Sequence, residues 1–555
     1  MENLDTEEWR FTDVQFLPIF KEYAKRINLV ETINTMVATE MDLPPGDAVL
    51  ALILDTLTGR TPLYRLKESL HETDTELLLG NPIDPGMFND TNVGRVLDKL
   101  FHAGSQKIFS QISQNAIGCF NLDTRHHHFD TTSVNVFGDY DNPDPALNIT
   151  YGYSKDKRPD LKQFMISMLC VDRNIPIIGK TQDGNSSDKT LNNEILSNIS
   201  GHMAEYGFSA GASIYIADSA FVTTDNLAQA HRDDIIFLSR LPANFNECKR
   251  VISEAVEADQ WQDIGTLAES QSEKRPAAFY RCFDTTVIIE EVVYRTVVFH
   301  SSAYDKRRQK RIDGMIKNSK AELEKKIKKI NHQPFKCLPD AEVAASELAK
   351  SADKSLHNIN VDITEAPRYG RGRPKKGEIK QPKSIEYKLG VNIEEAAEKI
   401  EKLRLEAGCF VLITNVPTQN KDQNWTGEDL LRLYKEQDGI EKNFGFLKDP
   451  AIVNAIFLKK PERIEALGLI LLLALFLWRL VERDLKLYVK ETDTPLPGWK
   501  KQLTKNPTSF MMTTKFLSIL VITSGKKRKL AKPLTKVQLQ YLKALDIKPE
   551  CFISP

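Results

Sequence analysis

The chain has 555 residues, of which 41% are apolar and 27% charged, and its formal net charge is −1. This composition is ordinary for a soluble globular protein of about two to four domains, and its total charge does not indicate nucleic-acid binding. The seven cysteines are scattered without a CxxC pair, which argues against a zinc site and a disulfide framework and favours a reducing cytosol.

The first part of the chain, residues 1–120, is predicted to be a helical domain. Apolar residues recur at helical spacing in LPIFKEYAKRINLVETINTMV and GDAVLALILDTLTG, with Gly or Pro between such segments. The opening MENLDTEEWR is polar and acidic, so we expect no signal peptide and an intracellular protein.

From residue 121 to residue 244 the pattern changes to short strands. HHHFDTTSVNVFG, KQFMISMLCVD, IPIIGKTQ, ASIYIADSAF and DIIFLSRLP are rich in β-branched residues, and helical segments separate the later ones. Strands first, and then strand–helix–strand alternation, indicate a mixed α/β sheet.

The remaining chain is predicted to form an insertion and a helical end. Residues 245–424 combine strands, a Lys-rich helix and a Pro/Gly/basic loop near 367–383, as in an insertion domain. Residues 425–490 are predicted to be helical, and 491–555 a short helical tail. Residues 466–478 are uncharged for only thirteen residues. Because a membrane span needs about 20 residues, we interpret this segment as a buried core helix, with no membrane partner.

Two aspartates occupy strand positions suited to chemistry. Asp130 follows the histidine run and faces opposite to its strand neighbours, so its carboxylate projects alone from one face. Asp218 ends the apolar run IYIAD, and ligand sites of open α/β sheets lie at such strand ends. The alternative is that either residue is an ordinary strand-end or turn-forming carboxylate.

A third acid lies in YKEQDGIEKNFGFLK, residues 434–448. On one helix, Tyr434, Glu441 and Lys448 are seven residues apart and share a face. A glutamate brought beside two strand aspartates makes a three-acid site for hard divalent cations such as Mg²⁺. Two such ions can activate a nucleophile and stabilise the leaving oxygen in phosphodiester cleavage.

Together these segments resemble a DDE transposase of bacterial insertion sequences, of the cut-and-paste type. The family has an RNase H-like core and a Y-x2-R-x3-E-x6-K signature, which Tyr434, Glu441 and Lys448 match in residue and spacing. FDTTSVNVFG, YGYSKDKRPDLKQ, DGNSSDKT, YIADSAF and FLSRLP also look like family segments, and the resemblance covers roughly 10–490. The Arg of the signature is replaced by Gln437, which can hydrogen-bond a phosphate oxygen but brings no charge.

The resemblance implies a function and its partners. Asp130, Asp218 and Glu441 would be the catalytic, metal-binding triad, holding two Mg²⁺ ions with Mn²⁺ as a substitute. Tyr434, Gln437 and Lys448 would contact the DNA backbone. The implied partners are the terminal inverted repeats, target DNA and a second copy in a homodimeric synapse. The implied location is a prokaryotic cytoplasm, in association with the nucleoid. The implied fold is an RNase H-like mixed-sheet core interrupted by a β-rich insertion, with the helical domain before it and the helical tail after it.

Several basic residues are further candidates for DNA contact. Arg158 and Lys162 lie near the first acid in sequence, and Arg240 lies in FLSRLP. Arg371 and Arg373 belong to RGRPKK, an Arg-Gly-Arg-Pro segment that suits a narrow A·T-rich minor groove. A basic linker without DNA contact is the alternative, and the Lys-rich helix at 306–329 is either a DNA contact or a solvated face.

The histidine run at 126–128 is not predicted to bind metal, because adjacent strand residues point to alternate faces and cannot converge on one ion. We expect these histidines on the sheet surface or facing DNA, although His128 shares a face with Asp130 and could be its neighbour.

Two other functions remain open. A DNA-binding protein with this architecture could lack catalysis and act as a repressor or accessory factor, which an intact acid triad disfavours. A metal-dependent nuclease or phosphoesterase could cleave without strand transfer.

Overall fold

A computed structural model describes most of the chain and divides it into two compact units. The described residues are 9–140, 145–195, 213–267, 277–332, 334–352, 355–372, 379, 381–420, 423–453 and 455–555. One unit comprises Met1–Ser239 and Leu431–Pro555, and the other comprises Arg240–Leu430.

Helices are distributed along the whole chain, and residues 188–195 are helical as well. The labelled helices are α1 Leu17–Arg26, α2 Leu29–Met36, α3 Pro45–Leu57, α4 Leu63–His71, α5 Thr75–Leu79, α6 Asp90–Ala103, α7 Ser105–Phe120, α8 Thr224–Arg232, α9 Asn246–Ala258, α10 Asp305–Ile330, α11 Leu338–Ala352, α12 Ala397–Ala407, α13 Gly427–Lys435, α14 Asp438–Lys448, α15 Pro461–Thr492, α16 Ser509–Thr513 and α17 Lys536–Ala544.

Strands occur mainly between residues 126 and 424. They are β1 Arg10–Asp13, β2 His126–Val136, β3 Lys162–Val171, β4 Ile175–Gln182, β5 Ile214–Ala217, β6 Ile236–Arg240, β7 Gln262–Thr266, β8 Phe279–Ile289, β9 Val292–Ser301, β10 His357–Arg368, β11 Ser384–Glu395, β12 Cys409–Thr414, β13 Gln419–Asn420, β14 Gln423–Asn424, β15 Leu496–Pro497, β16 Leu503–Thr504, β17 Leu520–Ser524 and β18 Lys527–Leu530.

The central sheet of the first unit is mixed, as predicted. Its strands follow the order β4-β3-β2-β5-β6. The first three form an antiparallel meander, whereas β5 is parallel to β2, and β6 is parallel to β5. This is the sheet of an RNase H-like core, and the predicted fold class is confirmed.

Helix α15 forms much of the core beneath this sheet. It packs on β4 and on the N-terminal helices α1, α3, α6 and α7. Gly179 and Gly468 permit the close approach, because a Cβ on Gly179 would lie 2.6 Å from a Leu472 methyl carbon and one on Gly468 would lie 2.3 Å from Thr181 Cγ2. By length and composition α15 could cross a membrane, but 94% of its most apolar window is buried inside the protein. It is the core helix that the sequence predicted.

The N-terminal helical region is joined to the C-terminal segment by a small sheet. β1 pairs antiparallel with β17, and β17 pairs with β18. Arg528 of β18 forms ion pairs of 2.7 Å with both Asp74 and Glu76. Arg528 belongs to the basic run KKRK, residues 526–529, so one residue of that run is committed to internal ion pairs. Residues 493–555 contain short strands as well as helices.

The second unit contains a four-stranded antiparallel sheet in the order β12-β9-β8-β7 and a separate two-stranded ribbon of β10 and β11. The ribbon packs on α10 and α11 around Ala341, Leu348 and Leu389. Strand β10 was not predicted. Much of it is exposed, with only every second residue partly buried, and it ends in a segment that the sequence assigned to a loop.

Candidate active site

Asp130 and Asp218 are brought together by the parallel pairing of β2 with β5. His128 is paired with Ile216, so two residues further along each strand the same register places Asp130 beside Asp218. Asp218 keeps an extended backbone, with φ −71° and ψ −178°. Neighbouring strands lie about 4.8 Å apart, which brings the two carboxylates to one place at the end of β5.

Backbone amides hold both carboxylates in position. Thr131 N–H donates to Asp130 Oδ1 at 2.7 Å, and Ala220 N–H donates to Asp218 Oδ1 at 3.0 Å. The Asp130 side chain is only 23% exposed, while Phe129 and Thr131 on the opposite strand face are fully buried. Asp130 is thus more exposed than either of its strand neighbours.

Asp188 and Lys155 lie in the same place, and neither was identified from the sequence as a site residue. The Lys155 ammonium lies 3.3 Å from Asp188 Oδ1 and 3.8 Å from Asp130 Oδ1. The Thr131 hydroxyl donates to Asp188, linking this acid to β2. The segments DGNSSDKT and YGYSKDKRPDLKQ were noted for their resemblance, but sequence alone gave no reason to expect them to meet.

The electrostatics of the cluster favour bound positive charge. Burial raises the pKa of Asp130 from 3.8 to about 7, opposed by Lys155 and by the Thr131 amide and increased by Asp218 and Asp188. Burial also raises the pKa of Asp218, again increased by Asp188 and opposed by Lys155. Burial and mutual repulsion disfavour the ionised forms of these acids. A cation bound beside them therefore stabilises those ionised forms.

Glu441 lies in the first turn of α14, which packs against β2. Its side chain is exposed, and its carboxylate has no hydrogen-bond or ion-pair partner among the residues that the structure describes. The neighbouring Glu436 instead lies 3.7 Å from His128 Nε2 and 3.8 Å from Arg173 Nε. Glu441 is thus near the strand that carries Asp130 but makes no contact of its own.

The single helix predicted over 434–448 is wrong. Helix α13 ends at Lys435 and α14 begins at Asp438, with tight i+3 hydrogen bonds from Gly439 to Glu436 and from Ile440 to Gln437. Gly439 lies against the β3–β4 turn, because a Cβ there would be 2.8 Å from the Arg173 carbonyl oxygen. Glu441 and Lys448 share α14, whereas Tyr434 belongs to the preceding helix.

A buried polar network fixes α14 in place. Asn443 donates to the Asn174 carbonyl at 2.9 Å and accepts from Arg479 Nε at 2.7 Å. Arg479 also pairs with Glu482 at 3.2 Å, and both side chains are 6% exposed. Buried polar groups of this kind specify one arrangement, because any displacement leaves charge unpaired. The network therefore sets the position of the helix that carries Glu441.

The other residues of the signature have different surroundings. Tyr434 is half-buried in α13. Gln437 is half-buried as well, and its amide nitrogen is buried without a hydrogen-bond partner among the described residues. Lys448 forms an ion pair of 2.6 Å with Asp156. To contact a DNA phosphate, Lys448 must first break its ion pair with Asp156.

The remaining basic candidates are dispersed. Arg158 forms a bidentate pair with Asp160, and Lys162 donates to the Asp139 carbonyl. Arg240, in the second unit, has its guanidinium 5.6 Å from the centre of the Phe410 ring. None of these three contacts is with the aspartate cluster.

Arg371 and Arg373 belong to the connection between β10 and β11. Arg371 is exposed and precedes Gly372, whose φ of 123° is accessible to glycine but costly for other residues. Arg373 lies outside the described residues. RGRPKK therefore begins at the tip of a β-ribbon.

The histidines are not on the surface, contrary to expectation. His127 and His128 are 0% exposed, and burial lowers the pKa of His127 to about 3. β2 is covered on both faces here, which its sequence did not reveal. Neither ring nitrogen of His127 has a hydrogen-bond partner among the described residues. The contact of His128 is with Glu436, which is not one of the predicted site residues.

The donor set suits Mg²⁺ or Mn²⁺. It consists of carboxylate, hydroxyl and carbonyl oxygens, the hard ligands that these ions prefer. In the present arrangement, no three His, Cys, Asp or Glu side chains of the described residues form a group that could hold a metal ion. Lys155 instead lies between Asp130 and Asp188. The oxygen ligands therefore fit a divalent cation, and in this structure the Lys155 ammonium partly offsets the negative charge of the acids.

Two family models match the chain. A family model described as a transposase DDE domain matches residues 125–477, more than half of the chain. A model described as a domain of unknown function, DUF4277, matches residues 9–114, the helical N-terminal region. No curated protein matches the chain significantly. The first match contains Asp130, Asp218 and Glu441.

Proposed function

Because this chain belongs to the transposase DDE-domain family, we propose that it cuts DNA at the ends of a mobile element and joins those ends to target DNA. The observation that carries the proposal is the pairing of β2 with β5, whose register brings Asp130 beside Asp218. Their match to the family's first two acids and the location of Glu441 on a helix against β2 add to it.

Asp130, Asp218 and Glu441 would hold two Mg²⁺ ions, with Mn²⁺ as a substitute. When bound, these ions neutralise charge at the transferring phosphate and lower the pKa of an attacking hydroxyl. The carboxylates of Asp130 and Asp218 are already held by backbone amides, so they need little reorganisation. Glu441 would turn towards them from the exposed surface of α14.

Two reactions would use this site. Hydrolysis breaks the phosphodiester bond at the element's end and leaves a 3′-OH. That 3′-OH then attacks a phosphodiester of target DNA, forming one ester bond while breaking another, so no external energy source is needed. Tyr434, Gln437 and Lys448 would contact the backbone of the element's end, and Arg158, Lys162 and Arg240 are further candidates for phosphate contact.

The proposed assembly is a homodimer that pairs two terminal inverted repeats. The helical region matched by DUF4277 is our candidate for end recognition or dimerisation. We assign the protein to bacterial insertion sequences, with Gln437 as a departure from their Tyr-Arg-Glu-Lys signature, and we place it in the cytoplasm of a prokaryote, associated with the nucleoid.

The experiment is product analysis on a labelled fragment that carries the element's end, incubated with Mg²⁺ and a target plasmid. A joined product supports transposition. Cleavage without joining would indicate a nuclease, and a gel shift without cleavage would indicate a DNA-binding protein that has lost catalysis. The fragment would be taken from inverted repeats found in the DNA that flanks the reading frame.

A further inference from the structure

The Lys155 ammonium is surrounded by oxygen atoms at the centre of the acid cluster. It donates to the Thr131 carbonyl at 2.6 Å and contacts the Thr131 hydroxyl at 2.9 Å. Asp188 Oδ1 lies at 3.3 Å and Asp130 Oδ1 at 3.8 Å. The backbone N–H of Lys155 donates to the buried Ser133 hydroxyl at 3.1 Å, which anchors the residue beside β2.

Carboxylate, carbonyl and hydroxyl oxygens are the ligands that a hard divalent cation prefers. Here they contact the singly charged ammonium of Lys155. Two carboxylates, a carbonyl and a hydroxyl converge on the ammonium, and Asp218 adds negative charge nearby. An ammonium in this place offsets the repulsion among the acids in the metal-free protein. It cannot remain there once a divalent ion occupies the same carboxylates, because the two positive charges would repel each other at short distance.

Lys155 also has the freedom to leave. It lies in residues 151–161, which form neither helix nor strand, and its side chain is 28% exposed. The oxygens around it belong mostly to β2, which is held in the sheet on both sides. A four-carbon stem allows the ammonium to move several ångströms while the backbone remains fixed.

We propose that Lys155 is a resident counter-cation, which a divalent metal ion displaces from Asp130 and Asp188 when it enters the active site. This inference rests on the proposed function, because it assumes that the acid cluster binds such an ion. It adds a positioning role for Lys155: it keeps the carboxylates in place before metal entry and is released towards solvent afterwards.

The direct test measures exposure of the Lys155 amine in the full-length protein. The protein is labelled briefly with an acetylating reagent, with and without Mn²⁺, and modification at each lysine is quantified by mass spectrometry. We expect Mn²⁺ to increase labelling of Lys155 about three- to tenfold, because displacement exposes an amine that is now held by four oxygens. Lys157, exposed and two residues away, is the internal control and should not change.

A second measurement compares Mn²⁺ affinity, read from the signal of free Mn²⁺ in electron paramagnetic resonance. Lys155→Met removes the competing ammonium, and we expect about tenfold tighter binding. Lys157→Met makes the same change in total charge at an exposed position and should alter the affinity less than twofold. Melting temperatures of both variants show whether they remain folded.

The outcomes separate this inference from the proposed function. Unchanged or reduced labelling of Lys155 with bound Mn²⁺, or equal affinity of Lys155→Met and wild type, overturns the displacement while leaving the metal site intact. Loss of Mn²⁺ binding in Asp130→Asn confirms where the ion lies. If the wild type binds no Mn²⁺, the metal site of the proposed function fails, and the inference fails with it.

Discussion

Asp130 stands beside Asp218 because His128, two residues before the first acid, pairs in parallel with Ile216, two residues before the second. This relationship joins two segments that are far apart in the chain. Burial raises the pKa of both carboxyl groups, and because they lie together at the end of β5, a third acid, Asp188, raises both pKa values further.

The acid triad is the first prediction. Asp130→Ala, Asp218→Ala and Glu441→Ala should each lower Mg²⁺-dependent cleavage by on the order of 1,000-fold, because metal ions supply several kcal/mol of charge stabilisation. Binding to the element's end should remain largely intact. Nicking assays and gel shifts on one end fragment measure the two effects.

Glu436 provides a matched control for the third acid. Glu436→Gln should retain most of the cleavage activity, whereas Glu441→Gln should not. Loss of cleavage in Glu436→Gln but not in Glu441→Gln would show that the alignment to the family's signature is wrong. Glu436, beside His128, would then be the third acid.

The second prediction concerns pH. The pKa of Asp130 is about 7 in the folded protein against an ordinary 3.8. A carboxyl group with a raised folded pKa stabilises the fold while it is protonated, so this contribution is complete below about pH 4 and is lost as pH rises through about 7. The corresponding free energy is at most about 4 kcal/mol.

We therefore expect the melting temperature of Asp130→Asn to exceed that of the wild type at pH 8 in EDTA, and the difference to shrink at pH 4. Asp139→Asn, at an exposed position on the same segment, is the control and should show no such dependence. A constant difference between Asp130→Asn and wild type from pH 4 to pH 8 would contradict the prediction.

Gln437 is the subject of the third prediction. Its amide nitrogen is a buried donor without a partner among the described residues, and the proposed signature has an arginine at this position. Gln437→Arg should tighten binding to an end fragment and steepen the salt dependence by about one unit of log–log slope. The measurement is affinity across a salt series, with Gln437→Met as the uncharged control. An unchanged slope would mean that this side chain does not face phosphates.

RGRPKK leads to the fourth prediction. Gly372 permits close approach to DNA, and Pro374 removes a backbone donor and restricts the chain. Replacing Arg371 and Arg373 together by Ala should weaken binding to A·T-rich flanks by about 1–3 kcal/mol, the scale of specific contacts to bases. Catalysis on pre-bound ends should persist. Competition between A·T-rich and G·C-rich fragments measures the preference. An equal loss of affinity for both fragments would identify a general contact with the DNA backbone. No loss of affinity for either would mean that these arginines are solvated and do not contact DNA.

The fifth prediction concerns the network that positions α14. Arg479→Met removes one of the two cations that pair with the buried Glu482 carboxylate, leaving Lys486 at 2.6 Å, and should destabilise the protein by about 1–3 kcal/mol. Combining Arg479→Met with Glu482→Leu removes both charges and should restore much of that loss. Midpoints of urea unfolding measure the effect. A double variant as unstable as the single one would show that packing, and not the reduced compensation of the Glu482 charge, dominates.

Local sequence patterns determined much of this protein. Helical periodicity predicted the N-terminal helices, an uncharged apolar run predicted the core helix, and short runs rich in β-branched residues predicted β2 to β6, because these patterns reflect local structural preference and burial. The residue types and spacing around Asp130, Asp218 and Glu441 were sufficient to indicate the family. β10 was missed although Ile359, Val361 and Ile363 alternate with polar residues, which is the period-two pattern of a strand with one buried face.

Tertiary structure alone decided how these pieces meet. The β2–β5 register, the approach of Lys155 and Asp188 to Asp130, and the burial of His127 and His128 each depend on segments distant in the chain. Just after the break between α13 and α14, Gly439 likewise lies close to the carbonyl of Arg173, a residue distant in the chain. Periodicity can indicate which residues are buried, but the identity of the neighbour that buries them, and with it the electrostatics of the site, follows only from long-range packing.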